Sequence, residues 1–326
     1  VSRLTSIAKR AGRLAARTGL LDAVPRFGRG SLVVLMYHYF CSDDADPDEL
    51  TVRTSDFRRQ LEHLVRRFRV RNVAEALRET FAGSAPHGPT VCITVDDVGN
   101  DFERHAWPSI EALSVPVTVA ICPALLGEPR DETLFGIAHA LLRHSPESTF
   151  RLRRDLAKAD LSYERAWDRL RSTDPARLRA CLVDLGFLPD PGGRVPSYVR
   201  FPLLGTEALR GMAATGPLDV ASHSMTHPDL SRVRGDWLRY ELAESKRRIE
   251  SDFGTCPTFV YAGGQRTVPP EPGTAAVREA GYAFAFAGPR DTVRKEKDPM
   301  SLGRVAVLGD EDFDMFRLRV GVASRR

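Results

Sequence analysis

Thr90-Val91-Cys92-Ile93-Thr94-Val95-Asp96-Asp97, TVCITVDD, is an uncharged, β-branched run that ends on two adjacent carboxylates. Apolar on nearly every position, it describes a strand buried on both faces, the pattern of a parallel sheet covered by helices. Six more runs share that character: LVVLMY at 32–37, VPVTVAIC at 115–122, LDVAS at 218–222, TFVY at 258–261, YAFAFA at 282–287 and LGRVAVL at 302–308. Helical patterns lie between them. At 54–68, Phe57, Leu61, Leu64, Val65 and Phe68 share a face behind a Thr54 or Ser55 cap, and at 237–253 Leu238, Leu242, Ile249 and Phe253 recur. Seven strands, each followed by a helix or a long connection, predict an α/β fold whose right-handed crossovers close the sheet into a barrel. In such a barrel the chemistry sits just after the strands: Asp96 and Asp97 follow TVCITV, His223 follows LDVAS, and Gly263 and Gly264 follow TFVY.

The rhythm breaks over 123–205, where Arg-rich helical segments at about 134–144 and 161–185 precede a turn-rich LPDPGGRVP. This stretch reads as an insertion between two strands that covers the barrel mouth or a flank. Residues 1–29 read as a separate basic amphipathic helix, with Leu4, Ile7, Ala11, Leu14 and Ala15 at helical spacing between arginines and lysines. It has the pattern for peripheral contact with anionic lipid, although its Ala-rich stripe without Trp or Phe favours docking on the protein's own surface. The barrel is expected over 30–326.

Composition excludes several classes. The 326 residues carry 42% hydrophobic and 28% charged residues, values of a soluble globular chain. A net charge of +4 is dispersed along the chain, with no nucleic-acid motif, so no nucleic-acid partner is expected. Cys41, Cys92, Cys122, Cys181 and Cys256 form no C-x-x-C pair and are odd in number, which reads as reduced thiols and a cytoplasmic setting. The first residues hold no continuous apolar segment of signal-peptide or membrane-span type.

Two motifs carry the chemistry. Adjacent carboxylates closing a buried strand repel and are costly to desolvate, and a metal ion is the strongest compensator, while a helix cap with a solvated neighbour is the ordinary alternative for Asp96-Asp97. In Ser222-His223-Ser224-Met225-Thr226-His227, histidines four apart on one helical turn would reach one ion; alone, the spacing is equally that of unrelated surface residues. Both motifs fall at the same end of barrel strands. An Asp with two His leaves positions on the ion open, the catalytic arrangement.

These residues resemble the NodB-homology polysaccharide deacetylases, carbohydrate esterase family four. TVDD at 94–97 is similar to that family's T-F-D-D motif and HSMTH at 223–227 to its H-[ST]-x-x-H motif. VLMYH at 34–38, SKRRIESDFGTCPTFVYAGG at 245–264 and GRVAV at 303–307 add to the likeness, which spans most of 30–308 apart from the insertion. The resemblance implies a distorted (β/α)7 barrel with Asp97, His223 and His227 as ligands of a divalent metal, zinc being the expected ion. It also implies Asp96 as the general base, and Tyr261 and Gly263 beside the substrate, the Gly263 amide serving the oxyanion. The implied reaction is hydrolytic removal of an N-acetyl group from an amino sugar in a glycan or glycoconjugate. A deformylase of a formamido sugar, or a carbohydrate-binding member without turnover, would use the same scaffold.

The sequence departs from the family pattern at four places. Val98 replaces the glycine that follows T-F-D-D, Val260 stands where many members have an arginine orienting the base, and Ala262 and Gly263 replace the Pro and aromatic of Y-P-Y-G. No histidine follows His227, so the late apolar-plus-His motif that supplies the general acid in many relatives is missing. His38, at the end of the first strand, is the remaining histidine at the catalytic face; it is the candidate proton donor, against the alternative of a hydrogen-bonded structural histidine. His63, His87, His105, His139 and His144 read as surface residues.

Overall fold

Along the chain run β1 (Leu32–Tyr37), β2 (Tyr39–Cys41), β3 (Thr51–Arg53), α1 (Thr54–Arg67), β4 (Arg69–Val70), α2 (Val73–Phe81), β5 (Thr90–Asp96), a π turn (Phe102–Ala106) leading into α3 (Trp107–Leu113), and β6 (Val117–Ile121). After the long insertion come α4 (Thr206–Thr215), β7 (Leu218–Ser222), α5 (Gly235–Arg239), a second π turn (Tyr240–Glu244), α6 (Ser245–Phe253), β8 (Thr258–Val260), α7 (Gly273–Glu279), β9 (Phe284–Pro289), β10 (Leu302–Ala306) and α8 (Phe313–Ala323). This computed structural model describes residues 32–47, 49–83, 88–123, 126, 177, 180, 203–225, 227, 230, 235–262, 273–289, 293 and 297–324. The expected helix over 1–29, nearly all of the insertion over 123–205, and Gly263 lie outside the described residues.

The seven expected strands pair in parallel as a closed ring, β1-β5-β6-β7-β8-β9-β10 and back to β1. Closure is made by Leu35 and Met36 of β1 opposite Val305 and Ala306 of β10, while the other edge of β1 runs beside β5 from Leu32↔Thr90 to Tyr37↔Val95. The two-residue β4 rides on the first residues of β5, and β2 and β3 form a small parallel pair outside the ring. These three short strands carry too few residues to show a period in sequence.

Side-chain alternation divides the ring into two cores. Val33, Leu35 and Tyr37 of β1, Val91, Ile93 and Val95 of β5, and Val117, Val119 and Ile121 of β6 face the surrounding helices. Leu32, Val34, Cys92, Ala120, Ala221, Val260, Phe284, Phe286 and Leu302 face inward with Val73, Ala76 and Leu77 of α2, which plugs the N-terminal end of the barrel. Asn72 anchors that plug: its side chain accepts from the Glu75 amide at 3.2 Å and donates to Asp219 of β7 at 2.9 Å.

Helix α1 buries Phe57, Leu61 and Leu64 completely, each contributing roughly 1.5–3 kcal/mol of apolar transfer. Two details differ from expectation. Val65 is 47% exposed, because the apolar stripe is narrower than its five members. The helix is not capped by Thr54 or Ser55: Arg53 is the N-cap without a side-chain bond, the Ser55 amide donates to Asp43 at 2.8 Å, and the Thr54 hydroxyl donates to the Cys41 carbonyl. A loop carboxylate thus does the work of a local cap.

Cys41, Cys92, Cys122 and Cys256 are free thiols, and Cys181 lies outside the described residues. Among the described residues no helix is long and apolar enough to cross a membrane.

Candidate metal centre

Strand parity aims the site. On β5, Asp96 shares the inward face with Cys92 and Thr94; on β1 the inward series Leu32, Val34, Met36 continues to His38, and on β7 Asp219 and Ala221 continue to His223. All of these end at the C-terminal mouth of the barrel, where adjacent strands converge their last residues.

Asp97 turns across that mouth. Its φ of 55° is left-handed, a conformation that Asp tolerates better than a β-branched residue. The turn that a following glycine would accommodate is made one residue earlier, leaving Val98 free to pack in the outer core, where its carbonyl accepts from the Leu204 amide at 3.2 Å. The Asp97 Oδ1 lies 3.9 Å from His223 Nε2 and Oδ2 lies 3.7 Å from His227 Nε2. One ligand atom from each residue fits within 4.8 Å of the others, the spacing of donors around one ion.

The two histidines do not share a helical turn. Ser224 and His227 have φ of 70° and 61°, so the segment is an irregular loop, and the rings meet at right angles with centroids 4.8 Å apart. His223 is fixed by its surroundings. Its amide extends the β6–β7 pairing to the Ile121 carbonyl at 2.8 Å, and Nδ1 lies 2.8 Å from the Val260 carbonyl. A carbonyl only accepts, so Nδ1 carries the proton and Nε2 presents a lone pair to the mouth. His227 is held by its amide, which donates to the Ser224 hydroxyl at 3.0 Å, and burial lowers its pKa against the pull of Asp97, favouring the neutral ring that ligates. One carboxylate and two imidazoles fit a first-row divalent ion such as zinc, with coordination positions to spare.

Asp96 has a different partner. Arg304 of β10 meets it with both terminal nitrogens, Nη1 to Oδ1 and Nη2 to Oδ2, each at 2.7 Å, and Nη1 also donates to the Thr94 hydroxyl at 3.0 Å. Burial alone would raise the Asp96 pKa, but the charge and hydrogen bonds of Arg304 override it and hold the carboxyl well below the usual carboxylate range. The cation beside Asp96 thus comes from β10 and not from β8, two strands round the ring, where the inward position holds Val260. The signal for Arg304 was in the sequence: a single arginine at an inward position of LGRVAVL, otherwise apolar, requires an anion inside the barrel.

His38 places Nε2 3.9 Å from Asp96 Oδ2, and its Nδ1 is buried without a hydrogen-bond partner among the described residues. Burial lowers its pKa, opposed by Asp96 and Asp97, so the resting ring is neutral at neutral pH. Tyr261 is not at the mouth: its ring packs edge-on against Phe259 in the outer core, its hydroxyl donates to the Met300 carbonyl at 3.0 Å and its amide to the Phe286 carbonyl at 2.9 Å. Parity explains the correction, since Val260 points in and Tyr261 must point out. His63 is a packing residue against Phe68, Phe313 and Phe316, and His105 Nδ1 sits 3.2 Å from the Thr54 hydroxyl; neither is a free surface residue. His87, His139 and His144 lie outside the described residues.

No protein-family model matches the sequence, and no curated protein matches it. Solved structures do. The deacetylase PplD of Streptococcus pyogenes, in complex with acetate, superposes with a TM-score of 0.60 over 92% of this chain and 100% of its own, at 14% identity. A polysaccharide deacetylase of Bacillus cereus, BC0361, gives 0.58 over 90% of this chain and 69% of its own at 14% identity, and IcaB of Ammonifex degensii gives 0.57 over 92% and 98% at 18% identity. The closed seven-strand parallel barrel is the (β/α)7 fold of the NodB-type polysaccharide deacetylases.

Proposed function

We propose that the protein is a metal-dependent hydrolase that removes an N-acetyl group from an amino-sugar residue of a glycan or glycoconjugate. The observation that carries the reading is the meeting of Asp97, His223 and His227 within 4.8 Å beside a second, ion-paired carboxylate on the same strand. The similarity of fold to polysaccharide deacetylases points to the substrate class. A divalent cation, zinc by this donor set, supplies Lewis acidity toward the amide carbonyl and lowers the pKa of a water when bound there.

The side chains divide the remaining work. Asp96, kept ionised by Arg304, takes the proton of the attacking water; each of its oxygens keeps a lone pair beyond the one given to the guanidinium. Attack on the amide carbon gives a tetrahedral oxyanion. The C–N bond then breaks only if the nitrogen is protonated; His38, neighbouring Asp96, takes up the proton that Asp96 removed from water and passes it to the amine, which returns Asp96 to its carboxylate form. Acetate and a free amino sugar result.

The test is amine release from N-acetylglucosamine oligomers by the full chain, before and after dialysis against a chelator and after adding Zn²⁺ back. Loss on dialysis and return with Zn²⁺ is expected, and undiminished release by metal-free protein overturns the metal reading. His38→Ala is expected to slow the amide at least tenfold more than an aryl acetate ester, whose leaving group needs no proton. Equal slowing of both removes His38 from the donor role.

A further inference from the structure

The helical stretch that runs from α5 into α6 is interrupted by the π turn Tyr240–Glu244; from that turn and from Ser245, which follows it, buried polar contacts reach the histidine loop and the end of β7. Glu241 is wholly buried, and its Oε2 accepts from the amide of Met225 at 2.9 Å. Met225 is the middle residue of the segment from His223 to His227 and is itself fully buried. On the other side of His223, the Ser222 hydroxyl points outward from β7 and donates to the Ser245 hydroxyl at 3.0 Å.

The same group keeps the π turn in place. A π turn slips the helical bonding register by one residue and leaves carbonyls in need of donors. The Ser245 hydroxyl lies 2.7 Å from the Glu241 carbonyl and 3.0 Å from that of Leu242, and the Tyr282 hydroxyl lies 3.1 Å from the Leu242 carbonyl. Ser222, Glu241, Ser245 and Tyr282 are all buried, so one buried network holds both the helix irregularity and the end of β7.

We propose that Glu241 is a positioning residue for the metal centre: its carboxylate, delivered by the π turn, clamps the Met225 amide and thereby sets the separation and aim of His223 and His227. The inference rests on the reading of Asp97, His223 and His227 as metal ligands. Glu241 acts through the loop backbone. The loop needs such a clamp because Ser224 and His227 occupy left-handed backbone conformations, which the chain keeps only where its surroundings enforce them. An accepting oxygen is suited to the task, since a buried backbone N–H left without a partner is costly. Released from it, the loop relaxes and the two Nε2 atoms lose their common focus.

The experiment is a Zn²⁺ titration of metal-free full-length protein against a chromophoric chelator, with the Co²⁺ absorption spectrum as a reporter of ligand geometry. Both are read well below the unfolding temperature of each metal-free variant. Glu241→Ala is expected to weaken Zn²⁺ binding about 10- to 100-fold and to alter the Co²⁺ bands, the scale of loss seen for residues that orient ligands. Glu241→Gln, which keeps an accepting oxygen, is expected to recover most of that loss, a rescue that a merely space-filling role would not require. Should Glu241→Ala not fold, Glu241→Met fills the volume without an acceptor and must show the same weakening. A folded Ala or Met variant with wild-type Zn²⁺ affinity and an unchanged Co²⁺ spectrum overturns the role of Glu241 while leaving the ligands standing. Wild-type protein that binds neither ion overturns the ligand reading itself, and Glu241 with it.

Discussion

Asp96 and Asp101 stand on one short stretch of chain, both buried, and their electrostatics are opposite. Asp96 closes β5 and faces Arg304, whose charge outweighs the cost of burial and keeps the carboxylate ionised. Asp101 begins the π turn after the strand. Its Oδ2 accepts from the Phe40 amide at 2.9 Å, and its Oδ1 meets no hydrogen-bond partner among the described residues. Burial pushes its pKa up to about 7, and the backbone N–H groups around it only partly oppose that. Desolvation is common to the two. A guanidinium separates them: Asp96 is held ionised, whereas Asp101, without a cation, exchanges its proton near neutral pH beneath the strand that follows His38.

The largest effect tests the charged member. Asp96→Asn removes the proposed base and keeps its shape, so kcat is expected to fall by roughly 10²–10⁴ while Zn²⁺ affinity stays within a few-fold, Asp97 being the proposed ligand. Amine-release kinetics and a metal titration of the same variant check this; equal turnover would exclude Asp96 as base. Next comes the cation. Arg304→Met leaves a buried carboxylate alone, and a loss of roughly 3–5 kcal/mol in urea unfolding is expected at neutral pH. The sign follows from the depressed folded-state pKa of Asp96: its stabilisation is present above the unfolded value of about 4 and is lost as pH falls through the lower folded value. Without Arg304 the Asp96 pKa rises, so the acid limb of kcat/KM moves to higher pH; an unmoved limb would show that Arg304 does not govern the base.

The smallest effect tests the carboxyl group that has no cation beside it. The folded-state pKa of Asp101 lies above its unfolded value, so its stabilisation is complete below about pH 4 and is lost as pH rises through about 7. Between those limits the wild type should lose a few kcal/mol, about 1.4 kcal/mol per unit at most, relative to Asp101→Asn. Urea midpoints of the two proteins from pH 4 to 8 measure it. Parallel curves would mean that Asp101 is ionised throughout.

Much of this contrast was legible in the sequence because strands alternate strictly. Inward parity from Leu32 leads to His38, from Cys92 to Asp96 and from Ala221 to His223, and the same alternation, applied to β8, turns Tyr261 outward against the helices. Arg304 was legible in principle as the one charge in its strand, but its partner lies on a strand separated from it by 208 positions, and only ring closure brings them together. The H-x-x-x-H spacing led to the expectation of a helical turn, and that conformation is not what the chain adopts. H-x-x-x-H fits a helical turn, whereas the loop is irregular, and what enforces it is the Glu241 contact from a π turn. A slip of one residue in a helix has no local signature, since it is favoured by the tertiary partners of the freed carbonyls and not by the residues of the turn alone.

Ring closure also has an order in time. The ribosome delivers β5 with its carboxylates long before it delivers β10, and until that last strand docks between β9 and β1 the anion of Asp96 has no counterion. A carboxyl in that position takes up a proton or stays in contact with water, and in neither state can the barrel around it be dry and charged at once. Sealing this wall and pairing the Asp96 carboxylate are therefore a single event, because β10 is the strand that brings both.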